Sequence, residues 1–153
     1  MSITSTLESC APASSIGGLF LAAALYLPMV GAQAAELTVN VGNVGSDAGL
    51  VRVALYDDPE TFRDESRSIA VKTAPAAPGT VKIRFQDLSP GRYALIAYHD
   101  ADANGKLNLF LGMIPREGYG LSNNPKISGP PSFDQTAFDL PDEGAELSIL
   151  LKY

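Results

Sequence analysis

Over most of the chain from residue 37 onward, residues 109–133 excepted, apolar and polar residues alternate with a period of two. Leu37, Val39 and Val41 oppose Thr38 and Asn40, and Val51, Val53 and Leu55 oppose Arg52 and Ala54. Val81, Ile83 and Phe85 oppose Lys82 and Arg84, and Leu147, Ile149, Leu151 and Tyr153 alternate at the end. Successive side chains of a strand point to opposite faces, so this pattern describes strands with one face buried. It is incompatible with a helical bundle. Residues 92–99 are apolar at both parities, which suits a central strand covered on both sides. With shorter runs at 68–73 and 136–140, the spacing predicts an all-β antiparallel β-sandwich of about seven strands. Residues 37–41 and 50–56 read as a hairpin across the Gly45–Gly49 turn. Asp58 and Pro59 read as the cap and first position of one helical turn.

Residues 1–35 differ in character. The apolar run from Ile16 to Val30 is followed by Ala32-Gln33-Ala34, the arrangement of a signal-peptide core and its cleavage site. The run is interrupted by Pro28 and is shorter than the roughly 20 residues a membrane span needs. Residues 1–35 are therefore assigned as a signal peptide and residues 36–153 as one sandwich domain, exported to the periplasm or the extracellular space. Residues 1–15 contain no Lys or Arg, which is unusual for a signal peptide, and retention as an anchor is the alternative. Cleavage removes the only cysteine, Cys10, so the domain is expected to stand on its core without disulfides. The whole chain carries a net charge of −6. The acidic balance and the lack of a basic cluster argue against nucleic acid or an anionic membrane as a partner, and no insertion of the mature domain into a membrane is expected.

The chemistry concentrates in the stretch from His99 to Asn108. Asp100, Asp102, Asn104 and Gly105 occupy positions 1, 3, 5 and 6 of the calcium-loop pattern D-x-[DN]-x-[DN]-G. A hard cation takes six to eight oxygens, and alternate side chains on a tight turn can converge on it. Gly105 permits the positive φ such a turn requires. Lys106 would offer its carbonyl, Asn108 stands at position 9, and Leu107 would anchor the loop in the core. Position 12 is Leu111 where the pattern has glutamate, and no amphipathic helix flanks the loop, so a helix–loop–helix unit is excluded. The missing carboxylate must come from elsewhere. Glu117 is the first candidate, with Asp57 and Asp58 as further donors if their loop lies at the same end. Ca2+ is the cofactor so implied, with weak affinity. A polar turn capped by its own Asp and Asn side chains explains the same residues without a cation.

The segment Leu88-Ser89-Pro90-Gly91-Arg92-Tyr93, the loop at 99–108, and the stretch 112–124 followed by Gly129-Pro130-Pro131-Ser132-Phe133 resemble domain-of-unknown-function family 2141. These are exported bacterial proteins with no assigned activity. The resemblance spans residues 37–153 and implies export and a sandwich fold. The Pro-Gly-x-Tyr turn is more distantly similar to prealbumin-like and carboxypeptidase-regulatory-like sandwiches, which implies an immunoglobulin/prealbumin-like arrangement. The family usually carries Asp where Asn108 stands, which takes one charge from the loop.

Two functional classes follow. A non-catalytic binding module would use the Gly- and Pro-rich stretch 109–133, presenting Tyr119 and Phe133, with Asn123 and Asn124, to an extracytoplasmic glycan or protein. The alternative is a periplasmic hydrolase of glycans or esters, with His99 as base, Ser122 or Ser132 as nucleophile and Asp100 as orienting acid. No G-x-S-x-G elbow supports it. One histidine and no mature cysteine disfavour zinc.

Overall fold

The computed structural model describes residues 34–111, 114–126 and 128–153. The expected signal peptide falls outside these except for its last two residues. Ten strands are present among the described residues: β1 (Ala35–Val44), β2 (Leu50–Tyr56), β3 (Ala70–Pro75), β4 (Gly79–Leu88), β5 (Gly91–Asp100), β6 (Leu109–Phe110), β7 (Ile114–Pro115), β8 (Tyr119–Leu121), β9 (Phe138–Leu140) and β10 (Ala145–Leu150). One short helix, α1 (Phe133–Thr136), precedes β9. Seven of these strands are those the alternation predicts. β6, β7 and β8 are additional, each two or three residues long.

One sheet has the order β10-β1-β4, and a second has β3-β2-β5-β8 with β9 also paired to β5. The expected hairpin of β1 with β2 does not form, because the two strands belong to different sheets. Their apolar sides meet across the sandwich: Leu37, Val39 and Val41 of β1 and Val51, Val53 and Leu55 of β2 are all fully buried in one core. Burial of each such side chain is worth about 1.5–3 kcal/mol. One pairing also departs from the antiparallel expectation. β1 and β10 run parallel, with Leu37 opposite Ala145 and Gly42 opposite Leu150. A parallel pair requires a long crossover, and here the rest of the domain supplies it.

β5 is central, as its two apolar parities require. Tyr93, Leu95 and Ala97 enter the core between the sheets, while Ala94, Ile96 and Tyr98 face away from it. That outer face is partly covered too. Ala54, Tyr56 and Ala94 pack under Phe62 and Phe133 in a second apolar cluster, with Phe62 edge-on to Tyr56 at 5.3 Å and to Phe133 at 5.9 Å. The turn into β5 is closed by the Tyr93 hydroxyl, which donates to the Ser89 carbonyl at 2.7 Å. After β2, Asp58 accepts from the Glu60 amide at 2.8 Å, capping a turn rather than the expected helix. The helical turn comes later, a 3-10 segment at Glu65–Arg67 capped by Asp64.

Candidate functional site

β5 ends at Asp100, and the chain turns through residues 101–108 beside Glu117, which stands two residues before β8. This brings three carboxylates together: one oxygen each from Asp100, Asp102 and Glu117 lies within 4.8 Å of the others. None of the three is in an ion pair among the described residues. Asp100 is fully buried, and its two oxygens accept from the amides of Asn104 at 3.0 Å and Gly105 at 2.8 Å. Gly105 has φ +76°, as position 6 demands. Glu117 accepts from the amides of Ala101 at 3.1 Å and Asn108 at 2.9 Å, which ties both ends of the loop to it.

Asp102 is exposed and receives the side-chain amides of Asn104 and Asn108, each at 2.9 Å. The Asn108 hydrogen bond is the main reason its carboxyl is held below the usual aspartate range. Asn104 Oδ1 accepts from the Lys106 amide at 2.8 Å. Three like charges are thus held close by N–H donors. A carboxylate oxygen has two lone pairs, so accepting one N–H leaves capacity for a cation. An all-oxygen, carboxylate-rich set suits Ca2+ or Mg2+ and not a thiolate- or imidazole-seeking metal.

Other expectations are corrected. Asp57 and Asp58 follow Tyr56, which pairs with Ala94, whereas Asp100 pairs with Leu50 at the far end of the same ladder. Six residues of strand put them roughly 20 Å from Asp100. Leu107 stays half-buried outside the core, on the wall of a groove described below. Phe133 is not presented to solvent: it is 5 % exposed, in the second apolar cluster. Asn123 and Asn124 are turned toward backbone. Asn123 donates to the Ala137 carbonyl at 2.7 Å, and Asn124 bonds the Ser148 carbonyl at 2.8 Å and the Leu150 amide at 2.7 Å. Both adopt positive φ, which asparagine tolerates better than most residues. They clamp β9 and β10 rather than offer a ligand surface.

The proposed base and nucleophiles do not meet. His99 is 3 % exposed, and its Nε2 lies 2.8 Å from the Ala48 carbonyl and its Nδ1 2.9 Å from the Tyr153 hydroxyl. A carbonyl only accepts, so Nε2 carries the proton and the Tyr153 hydroxyl donates to Nδ1. That hydroxyl also accepts from the Gly45 amide at 2.7 Å. Ser122 is fully buried, donating to the Thr136 carbonyl at 2.5 Å and accepting from the Leu95 amide at 2.9 Å. Ser132 caps α1, with Gln135 completing a capping box.

Tyr119 lies on the outer face of the second sheet, opposite Tyr98. There it lines a groove of about 870 Å³ whose floor also includes Tyr56, Ile96, Tyr98 and Leu121. One wall carries Lys106 and Leu107 of the acidic loop, and another carries residues 62–65. A polar knot sits at this floor. Arg52 donates to the Tyr98 hydroxyl at 2.8 Å and to Glu65 at 2.5 Å, and the Tyr98 hydroxyl donates to Glu65 at 2.8 Å. Tyr56, Arg52 and Glu65 were not singled out from the sequence. The signal for two of them was present, since Arg52 and Tyr56 occupy the second parity of β2, which faces away from the main core.

Burial, reinforced by Glu65 and Asp64, pushes the Tyr56 hydroxyl up to about 12. Burial and the Glu65 hydrogen bond likewise raise that of Tyr98. Below the ordinary tyrosine value both states are protonated and the stabilisation is complete. Above it, the unfolded chain ionises first. Stability is therefore expected to fall from about pH 10 toward pH 12 by about 1.4 kcal/mol per pH unit for Tyr56 alone. Urea unfolding across that range checks this, with Tyr56→Phe giving a shallower fall.

Among the described residues, no helix is long and apolar enough to cross a membrane. A family model described as an uncharacterized protein conserved in bacteria (DUF2141) matches residues 39–148. No curated protein and no solved structure matches the chain.

Proposed function

The chain belongs to the DUF2141 family of bacterial proteins, and we propose that it is an exported, non-catalytic binding module whose acidic loop takes Ca2+ through Asp100, Asp102 and Glu117. The single observation that carries this reading is the convergence of those three carboxylates, from two separate segments, to within 4.8 Å. Export rests on the apolar run and the Ala32-Gln33-Ala34 site that follows it. The cation would neutralise the mutual repulsion of three acids and hold the 101–108 loop against the segment that leads into β8. Because Lys106 and Leu107 also form a wall of the outer-face groove, a stiffer loop means a stiffer groove beside Tyr119.

With two Asn side chains in place of further acids, affinity in the range of extracellular modules is expected, on the order of 10⁻⁴–10⁻³ M. A cation that binds only the folded chain stabilises it by RT ln(1 + [L]/Kd), which at about 10 mM amounts to about 1.4–2.7 kcal/mol. The test is thermal melting of the full chain in EGTA and across millimolar calcium. A rise of several degrees that Asp102→Asn/Glu117→Gln lacks is the expected result. A midpoint indifferent to calcium would reduce the loop to a self-capped polar turn.

A further inference from the structure

The groove on the outer face of the second sheet has a composition that selects among ligands. Its floor and walls are mostly hydrocarbon and aromatic, and its volume of about 870 Å³ falls within the range of small-molecule sites. The rim extends this character, with Leu109 and Ile114 of the same lining exposed at 44 % and 58 %, and an apolar surface contiguous with a groove is a mark of binding sites. The charged groups around it balance: Arg63 and Lys106 against Asp64 and Glu65. Glu65 is already committed to Arg52 and Tyr98.

Two phenol hydroxyls of the groove have no hydrogen bond among the described residues, that of the half-buried Tyr119 and that of Tyr56. Tyr56 lines the groove and is only 1 % exposed, yet among the described residues nothing hydrogen-bonds to its hydroxyl. Among the described residues no fully enclosed side-chain polar atom lacks a partner, so this hydroxyl reaches the groove. It is neutral at physiological pH and can donate as well as accept.

These features disfavour two occupants. A glycan carries a hydroxyl on nearly every carbon, and a floor with two free phenols would leave most of them desolvated and unpaired, at a cost of roughly 1–3 kcal/mol each. A peptide must satisfy an amide and a carbonyl at each residue, and the floor is the face of a sheet, whose backbone groups are spent within the ladders of β2, β5 and β8. We propose that this groove binds a neutral small amphiphile, a hydrocarbon chain bearing one hydroxyl or carbonyl oxygen that pairs with the Tyr56 hydroxyl. The proposal rests on the reading of the chain as a binding module, but not on the cation.

The experiment is fluorescence titration of the 153-residue chain with N-phenyl-1-naphthylamine, in EGTA and in calcium, followed by displacement with 1-decanol, decanoate and a chitin tetrasaccharide. Saturable enhancement is expected, reversed by decanol well before decanoate and not by the sugar. Tyr56→Phe keeps the ring, and should weaken decanol by roughly threefold to tenfold, the worth of one hydrogen bond, with little change in the naphthylamine. Ile114→Asp, at an exposed position that does not threaten folding, should weaken both. No saturable binding, displacement by the sugar in preference to decanol, or decanol affinity unchanged in Tyr56→Phe would overturn the proposal. A calcium-dependent melting shift without naphthylamine binding would sink the amphiphile and leave the cation standing. Naphthylamine and decanol binding as expected, in a chain indifferent to calcium, would do the reverse.

Discussion

Asp100→Ala is expected to lower the stability of the calcium-free chain by about 3–6 kcal/mol, because a hydrogen bond to a carboxylate is worth about 1.5–3 kcal/mol and two are lost. The side chain is fully buried and accepts from two consecutive amides, those of Asn104 and Gly105. Those donors keep the loop folded back on the end of β5, where Ala103 and Gly105 both hold positive φ. Without the carboxylate, the cost of those conformations is no longer offset. Asp102→Ala removes exposed contacts with two Asn side chains and a 3.2 Å bond from the Asn104 amide, which Asp100 also accepts at 3.0 Å, and should change the calcium-free midpoint far less. In calcium, both variants should lose the ion's contribution. The two measurements together separate capping from coordination: Asp100 serves both, Asp102 chiefly the second. Equal effects of the two substitutions in EGTA would contradict this division.

How much of this was legible in the chain depends on distance along it. Alternation is a local property, so it located seven strands and the two-sided character of β5. It carries no information about which strands become neighbours, so β1 and β2, adjacent in sequence and alike in pattern, were paired as a hairpin when they face each other from separate sheets. β8 escaped because three residues, with Gly120 in the middle, are too few for a period to register. The acidic loop was legible because its ligand spacing is set by the geometry of a single turn. Glu117 was reachable because little chain separates it from that turn. Asp57 and Asp58 failed as donors for a topological reason: antiparallel β2 carries them to the other end of β5. Phe133 failed because its cover comes from Phe62 and Tyr56, some 70 residues earlier, and aromatic residues in a Gly- and Pro-rich stretch look the same whether exposed or covered. Tyr56 failed in the opposite sense, since its outward parity was visible but its lack of a hydrogen-bond partner among the described residues was not.

The 45–49 crossover is where the two sheets and the acidic loop are fastened to one another, and Gly49→Ala should be the most damaging single methyl in the domain. Gly49 has φ +69°, and a Cβ there would lie 2.0 Å from the Asp100 carbonyl oxygen and 2.8 Å from the Ala101 Cα. Both obstacles are backbone, so neither can swing aside. Around this point Ala48 accepts from His99, Gly45 donates to Tyr153, and the Gly49 carbonyl accepts from the Ala76 amide at 3.2 Å. Relieving the overlap therefore means lifting the crossover off β5 and loosening the start of the 100–108 loop. Left-handed strain of about 1–3 kcal/mol and overpacking of similar size together predict a loss of about 2–6 kcal/mol. Gly79→Ala is the control. It has φ +101°, with nothing within 4 Å of its would-be Cβ, so it bears backbone strain without the collision. Denaturant unfolding of both variants should show Gly49→Ala the less stable by about 1–3 kcal/mol, the overpacking share alone. The same variant should lose any calcium response, because its Asp100 carbonyl and Ala101 backbone are the parts displaced. Equal losses at the two glycines would mean that the crossover does not press on β5, and that the loop is positioned by Asp100 and Glu117 without it.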